Sequence, residues 1–408
     1  MVLSFVCTQT CERLVRPLFW AATSLVYVTW IFSVFFLDIA QANSPEIIFQ
    51  RANWFVAAAA MLAALATICS NWKANCTWIP HFVLPLGLLV ALGMINQPSI
   101  FWGLLGWQWA PVVGFAFLGI SVARHPSAIV LCQALFRINF CASLAVSPLV
   151  VLSMLRLASG ERDIYNLRVF DSHFAFTVVV VAVFAAFSRS ARLRQRLVFA
   201  ALPIGVALLS MHRASMLVGL AALIFLVFQL RSARVIWIVG WYVASLVVIG
   251  AVLSQSQLGT QLAGFGVCDR TTATCTAGAS RTLGTDNSPT SNNGPEAASI
   301  LNTGTLGFRI KQWGNALQQP DEGGLAPPVA IHSTYVEIWL TFGPLGIVLL
   351  VYVILRYAFR RGTTGSQGQL VTAASFAYAT INFVPSLVWF LLFFIGTANR
   401  AFNTKSEQ

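Results

Sequence analysis

Long apolar runs, broken at intervals by Arg, Pro, Asn and Ser, recur along nearly the whole chain. Runs of roughly 17 to 25 residues have the length of helix needed to cross about 30 Å of hydrocarbon. The breaks predict spans near Pro17 to Phe36, Trp54 to Ser70, Ile79 to Ile95 and Phe101 to Val122. The next fall near Asn139 to Leu155, His173 to Phe187, Leu197 to Met211, Ala214 to Leu230, Val235 to Ser254 and Ser333 to Leu355. The apolar tail from Leu370 to Ala398 is too long for one comfortable span, and Pro385 divides it into two short helices, because proline cannot continue the hydrogen-bond ladder. The pattern predicts an all-α polytopic membrane protein of about 12 transmembrane helices. Nine of them lie in residues 1–254, a polar segment fills 255–332, and three helices and a short tail make up 333–408.

Composition excludes the soluble alternative. Of the 408 residues 57% are hydrophobic and only 9% are charged, and the mean hydropathy is +0.75. No soluble domain of this size has such a composition. An even number of spans puts both termini on one side. Placing Arg13 and Arg16 inside also places Lys73, Arg124, Arg137, the cluster Arg189 to Arg196, Arg231, Arg234, Arg356 to Arg361, Arg400 and Lys405 inside. That distribution satisfies the positive-inside rule with both termini cytoplasmic. The net charge of +12 is then mostly cytoplasmic and fits an anionic lipid leaflet, not nucleic acid. Ala40-Gln41-Ala42 imitates a signal-peptidase site, but the preceding apolar run is longer than a usual signal core, so a retained first helix is expected.

The longest polar segment, residues 255–332, falls on the outer, periplasmic side. Its middle, Ala277 to Ala297, is rich in Gly, Thr, Ser, Asn and Pro and reads as loop. Leu306 to Leu317 places Phe308, Ile310, Trp313 and Leu317 at helix-like intervals with Arg309 and Lys311 between them, which predicts an amphipathic interfacial helix. Cys268 and Cys275 fit a small disulfide loop in an oxidising compartment, with free thiols or a metal as the competing readings. The other cysteines fall at inner or intramembrane positions.

Candidate chemistry concentrates on the same side. Ile331 to Leu350 opens a span with His332, Ser333, Thr334, Tyr335 and Glu337. A titratable residue where a span meets water is costly to keep and points to function. Between the seventh and eighth spans, the tight connection His212-Arg213-Ala214-Ser215 leaves a guanidinium at the membrane boundary. There it either pairs with a fork-like anion such as phosphate or snorkels to lipid headgroups. Arg156, Arg162 and Arg168, with Glu161 and Asp163, form a further outer group that is either an anion site or a salt-bridged loop. His173 reads as an ordinary polar residue beside a helix-capping Asp171. No Asp-x-Asp pair is placed to hold a divalent metal on a pyrophosphate.

Three elements in order then carry a family resemblance. His332-Ser333-Thr334-Tyr335 followed by Gly343-Pro344-Leu345-Gly346, the Arg309-x-x-x-Trp313 element upstream, and the basic hairpin His212 to Ser215 resemble the signature of the O-antigen ligase and O-antigen polymerase superfamily. The resemblance covers about the last half of the chain; the first half matches only in being hydrophobic spans. It implies a GT-C-like, metal-independent and inverting membrane glycosyltransferase without cofactor, with an undecaprenyl-pyrophosphate-linked glycan as donor. The ligase form, with lipid A-core oligosaccharide as acceptor, at the periplasmic face of a Gram-negative inner membrane, is preferred. Carried over residue by residue, Arg213 and Arg309 bind the donor pyrophosphate, and His332 lies nearest the reacting hydroxyl.

Physical chemistry agrees with that division of labour. Displacing pyrophosphate from an anomeric carbon builds charge on the departing oxygens, which preorganised guanidinium groups stabilise. A neutral imidazole with an ordinary pKa of about 6.5 accepts the acceptor's proton. The chain departs from the family pattern where Ser333 replaces the usual asparagine after the histidine. Arg281 competes with Arg309 as the second loop arginine. Glu337, His212, Ser333, Tyr335, Trp313, Arg156 and Arg168 are candidates for supporting the site or touching substrate. The alternatives are an O-antigen polymerase, a protein O-glycosyltransferase with the same donor, and, in another class, a lipid-linked sugar flippase or secondary transporter.

Overall fold

The computed structural model describes residues 2–39, 45–96, 109–158, 172–188, 193–209, 213–230, 236–237, 239–245, 333–357, 366–381 and 384–398. The described chain is nearly all helix. In order the helices are α1 (Val2–Ile39), α2 (Pro45–Ser70), the single turn α3 (Trp72–Asn75), α4 (Ile79–Asn96), α5 (Ala110–Ala123), α6 (Ala128–Ala158), α7 (Ser172–Phe187), α8 (Leu193–Leu209), α9 (Arg213–Leu230), α10 (Thr334–Tyr357), α11 (Ser366–Ile381) and α12 (Ser386–Thr397). Three described stretches, Thr10–Ile31, Ala52–Ser70 and Ala128–Val151, are long and apolar enough to cross a membrane, and several other apolar helices are shorter.

Helix bounds differ from the apolar runs in an instructive way. α1 starts at Val2, well before the apolar run, and α6 extends from Ala128 to Ala158 around the expected span Asn139 to Leu155. Hydropathy marks the part that prefers hydrocarbon, whereas backbone hydrogen bonding continues into polar flanks until a turn signal stops it. The apolar tail is two helices, and Pro385, extended at φ −61° and ψ 150°, is the N-cap of the second. Residues 101–108 of the fourth expected span and most of the ninth lie outside the described residues.

The chain divides into two compact units, one of residues 1–147, 170–230 and 333–408 and the other of residues 148–169 and 231–332. The first has two central helices. α7 is buried at every position from Phe174 to Ala186, and α12 is buried from Leu387 to Thr397. A helix apolar on all faces is buried on all faces. α12 packs on α5 and α7, α5 on α2, and α2 on α1, while α8, α9 and α11 pack on α7 and α10 on α4 and α11. The α5–α12 crossing depends on Gly119, where an added Cβ would stand 2.5 Å from the Phe390 carbonyl oxygen, the close approach that small residues permit between membrane helices. Around this centre, Phe55, Leu84, Ile95, Leu217, Phe228 and Val348 are exposed, on a surface suited to lipid and not to water.

Polar groups inside the apolar helices are satisfied locally or across helices. Thr23, Thr67, Ser143, Thr177 and Ser375 each donate to the carbonyl four residues earlier, the usual solution where no water is at hand. Asn139 of α6 links three helices: it accepts from the Tyr27 hydroxyl of α1 at 2.7 Å and donates to the Val178 carbonyl of α7 at 3.1 Å. In the second unit the described residues comprise the end of α6 and residues 236–237 and 239–245, where the exposed rings of Trp237 and Trp241 stack at 6.5 Å.

Candidate functional site

Two polar regions mark opposite ends of the first unit. Glu12 interacts electrostatically with His125 and Trp30 touches His173; both Glu12 and Trp30 belong to α1, which separates them by about 27 Å at 1.5 Å per residue.

At the Trp30–His173 end, α10 begins with Ser333 as its cap. The Val336 N–H donates to the Ser333 hydroxyl at 3.4 Å, and that hydroxyl contacts the Ala379 carbonyl of α11 at 3.5 Å. Serine is a favoured N-cap because its oxygen accepts an orphan helix N–H. The Thr334 hydroxyl accepts the Val384 N–H at 3.0 Å, just ahead of α12. The Tyr335 hydroxyl donates to the Phe376 carbonyl at 3.3 Å. Three consecutive polar residues therefore tie the first turn of α10 to the end of α11 and the entry to α12. Ser333 and Thr334 are almost fully buried.

α11 carries this connection onward. The Tyr378 hydroxyl lies 3.4 Å from His173 Nδ1 of α7, and the Tyr378 ring stacks on Phe176 at 3.8 Å and 9°. The His173 ring in turn meets Trp30 of α1 at 5.5 Å. His173 is thus a member of an interhelical aromatic cluster, which differs from the expectation of an ordinary polar residue next to a cap. Asp171, the expected cap, lies outside the described residues.

Arg213 opens α9 at the same end. An added Cβ on Gly219 would stand 3.4 Å from Ile204 and Leu208 of α8 and 3.5 Å from Val179 of α7. Gly219 and Val179 lie equally far into their helices from Arg213 and His173. The first turns of α9 and α7 therefore stand at one level. The Arg213, Arg156 and Glu337 backbones are helical, in α9, α6 and α10; their side chains lie outside the described residues. His332, Arg309, His212, Arg281, Trp313, Arg168, Cys268 and Cys275 also lie outside the described residues.

Within α10 the element Gly343-Pro344-Leu345-Gly346 breaks the helix. Gly343 has φ 68° and ψ −172°, a conformation that costs an L-residue with a side chain and not glycine. Pro344 has no N–H to give the ladder, and a Cβ on Gly346 would collide with the Phe342 side chain. Phe342 is buried against Trp109 at the head of α5, edge to face at 5.2 Å. The break separates an N-terminal piece, held to α11 and the entry to α12 by the three bonds above, from a C-terminal piece ending at Tyr357.

The opposite end joins the connection after α2 to the connection after α5. Asn71 Nδ2 donates to the Arg124 carbonyl at 3.0 Å, Asn75 Nδ2 to the Asn71 carbonyl at 2.9 Å, and Trp78 Nε1 to Asn75 Oδ1 at 2.8 Å. Arg124 stands over the Trp78 ring at 5.9 Å. His125 Nδ1 accepts the Ser127 N–H at 3.1 Å, and Nε2 lies 3.1 Å from the Ser70 hydroxyl. With Nδ1 an acceptor, the proton is on Nε2 and the ring is neutral. Burial lowers the His125 pKa from its ordinary value, and the Glu12 carboxylate acts against that shift. His125, Asn139 and Tyr378 belong to no motif; a lone Asn or Tyr within an apolar run is the one signal the sequence offers for them.

Among the described residues no group of three His, Cys, Asp or Glu side chains is arranged to hold a metal ion. No family model matches the chain, and no curated protein or solved structure matches it. Fold and composition define a class: an all-α protein of apolar helices suited to a membrane.

Proposed function

We propose that this chain is an O-antigen ligase, transferring a glycan from undecaprenyl pyrophosphate to lipid A-core oligosaccharide at the periplasmic face of the inner membrane. One observation carries the reading: Arg213 and the residues that directly follow His332 open helices at the same end of one compact unit. A pyrophosphate-binding guanidinium and an acceptor-activating imidazole have to meet on one side of the membrane, and this arrangement supplies the scaffold for it. In the mechanism, Arg213 and Arg309 stabilise the charge on the departing pyrophosphate. His332 takes the proton of the acceptor hydroxyl as the new glycosidic bond forms with inversion. That end is then periplasmic and the His125 end cytoplasmic.

The break at Gly343 favours a second reading, because discontinuous membrane helices are a feature of secondary transporters. Purified protein in proteoliposomes with an undecaprenyl-pyrophosphate glycan and either lipid A-core or a repeat-unit acceptor separates the possibilities. Glycan attached to lipid A-core, with transfer persisting in excess EDTA, is the expected result. Elongated repeat units alone identify a polymerase, and movement of the lipid-linked glycan across the bilayer with no glycosidic product identifies a flippase.

A further inference from the structure

We propose that Trp30, His173 and Tyr378 form a saccharide subsite at the Ser333 end, taking a pyranose ring of the acceptor glycan. The assignment to the acceptor rests on the ligase reading; recognition of a sugar ring does not. A pyranose has an apolar C–H face and a rim of hydroxyls, so it fits a site that offers an aromatic face beside a fixed hydrogen-bonding edge. The three helices α1, α7 and α11 bring such groups together from distant parts of the chain: an indole 5.5 Å from an imidazole whose Nδ1 is 3.4 Å from a phenol.

The arrangement is preorganised. Tyr378 is 1% exposed, and its ring is fixed by stacking on Phe176, so its hydroxyl is a fixed partner that orients His173 through Nδ1, as an outer partner does for a ligand-binding histidine. His173 is half-buried. Its Nδ1 side faces the buried phenol. It is also the one titratable residue of α7, a helix otherwise buried among apolar groups, where an ionisable side chain is kept at a cost. A tryptophan of the interfacial belt lies at headgroup level among lipids, whereas the Trp30 ring is packed against the first turn of a central helix. Position relates the subsite to the transfer site: the same turn of α11 that carries Tyr378 accepts hydrogen bonds from Ser333 and Tyr335, the residues following His332.

The test uses the full chain in phospholipid nanodiscs without glycoside detergent. Histidine modification by diethyl pyrocarbonate is mapped by mass spectrometry, with exposed His81 as internal control. Core oligosaccharide freed from lipid A is expected to slow modification of His173 severalfold and leave His81 unchanged, while undecaprenyl pyrophosphate without sugar protects neither. In transfer assays Trp30→Leu, His173→Gln and Tyr378→Phe are expected to raise the acceptor KM about tenfold, the equivalent of roughly 1.4 kcal/mol, with kcat retained. Tyr378→Phe keeps the ring stacked on Phe176 and so separates loss of the hydroxyl from loss of the fold. Protection of His173 without any transfer upholds the subsite and removes the ligase reading. Transfer with no protection and wild-type KM in all three variants removes the subsite and leaves the ligase reading. Protection by the donor glycan alone, or a fall in kcat at unchanged KM, overturns the assignment to the acceptor.

Discussion

The two polar ends of the first unit use similar residues for different purposes. At the His125 end the partners lie in short connections: Asn75 bonds with Asn71 and Trp78 within the turn between α2 and α4, and Asn71 with Arg124 and Ser70 with His125 tie that turn to the connection between α5 and α6. At the Ser333 end the bonds and ring contacts join helices directly: Thr334 of α10 with Val384 ahead of α12, Tyr378 of α11 with His173 of α7, and His173 with Trp30 of α1. Bonds of the first kind close connections, where backbone groups at helix ends would otherwise be unsatisfied. Bonds of the second kind position helix ends relative to one another. A transfer site assembled from several spans needs that second kind of precision, which is why we place function at the Ser333 end.

The largest expected effects test that asymmetry directly. His332→Ala, Arg213→Ala and Arg309→Ala should each lower the transfer rate by about 10² to 10⁴ while the protein remains inserted and monodisperse. His125→Asn should leave kcat unchanged. Wild-type transfer by any of the three would remove that residue from the mechanism.

Next in size is the link that belongs to neither end. Asn139→Leu removes both the Tyr27 and the Val178 bond and leaves the Tyr27 hydroxyl without this partner. The expected loss is about 1–2 kcal/mol of stability, given about 0.6 kcal/mol for an average interhelical bond in membranes and a stranded buried hydroxyl in addition. A lowered thermal midpoint in detergent reads it out. An unchanged midpoint would mean that α1, α6 and α7 are held by packing alone.

Smaller and more telling is a matched pair. Thr334→Val and Asn71→Ala each remove one hydrogen bond to a backbone group and should cost a similar ~0.5–1.5 kcal/mol of stability. Only Thr334→Val should slow transfer, because it alone loosens the entry to α12 beside the residues following His332. Equal effects on transfer would erase the functional difference between the ends.

The smallest effect is a pH dependence. The folded His125 has a lowered pKa because burial favours the neutral ring. Its contribution to stability is therefore complete above the unfolded pKa of about 6.5 and declines as the pH falls through the folded value. Unfolding midpoints at pH 7.5 and 5.5 should differ less for His125→Asn than for the wild type. Identical differences would show that the proton bound on unfolding goes elsewhere.

Hydrophobic periodicity along the chain determined that this is an all-α protein, where most helices lie, and that Pro385 starts a new one. Those properties depend on length, apolar content and the missing proline N–H, all of which are local. The glycine–proline element was legible as a motif, but its effect on α10 was not, because Gly343 adopts its left-handed conformation in the setting of Phe342 and Trp109. His173 looked like an ordinary polar residue because its partners, Trp30 and Tyr378, are more than a hundred residues away on either side. His125 and Asn139 gave no periodic signal at all; each has its role through single bonds to other helices or turns. Sequence alone could specify which segments prefer hydrocarbon. Only tertiary structure decided which polar groups share an end of the molecule, since the pairing of distant helices rests on close contacts, such as Gly119 with Phe390, that no local pattern encodes.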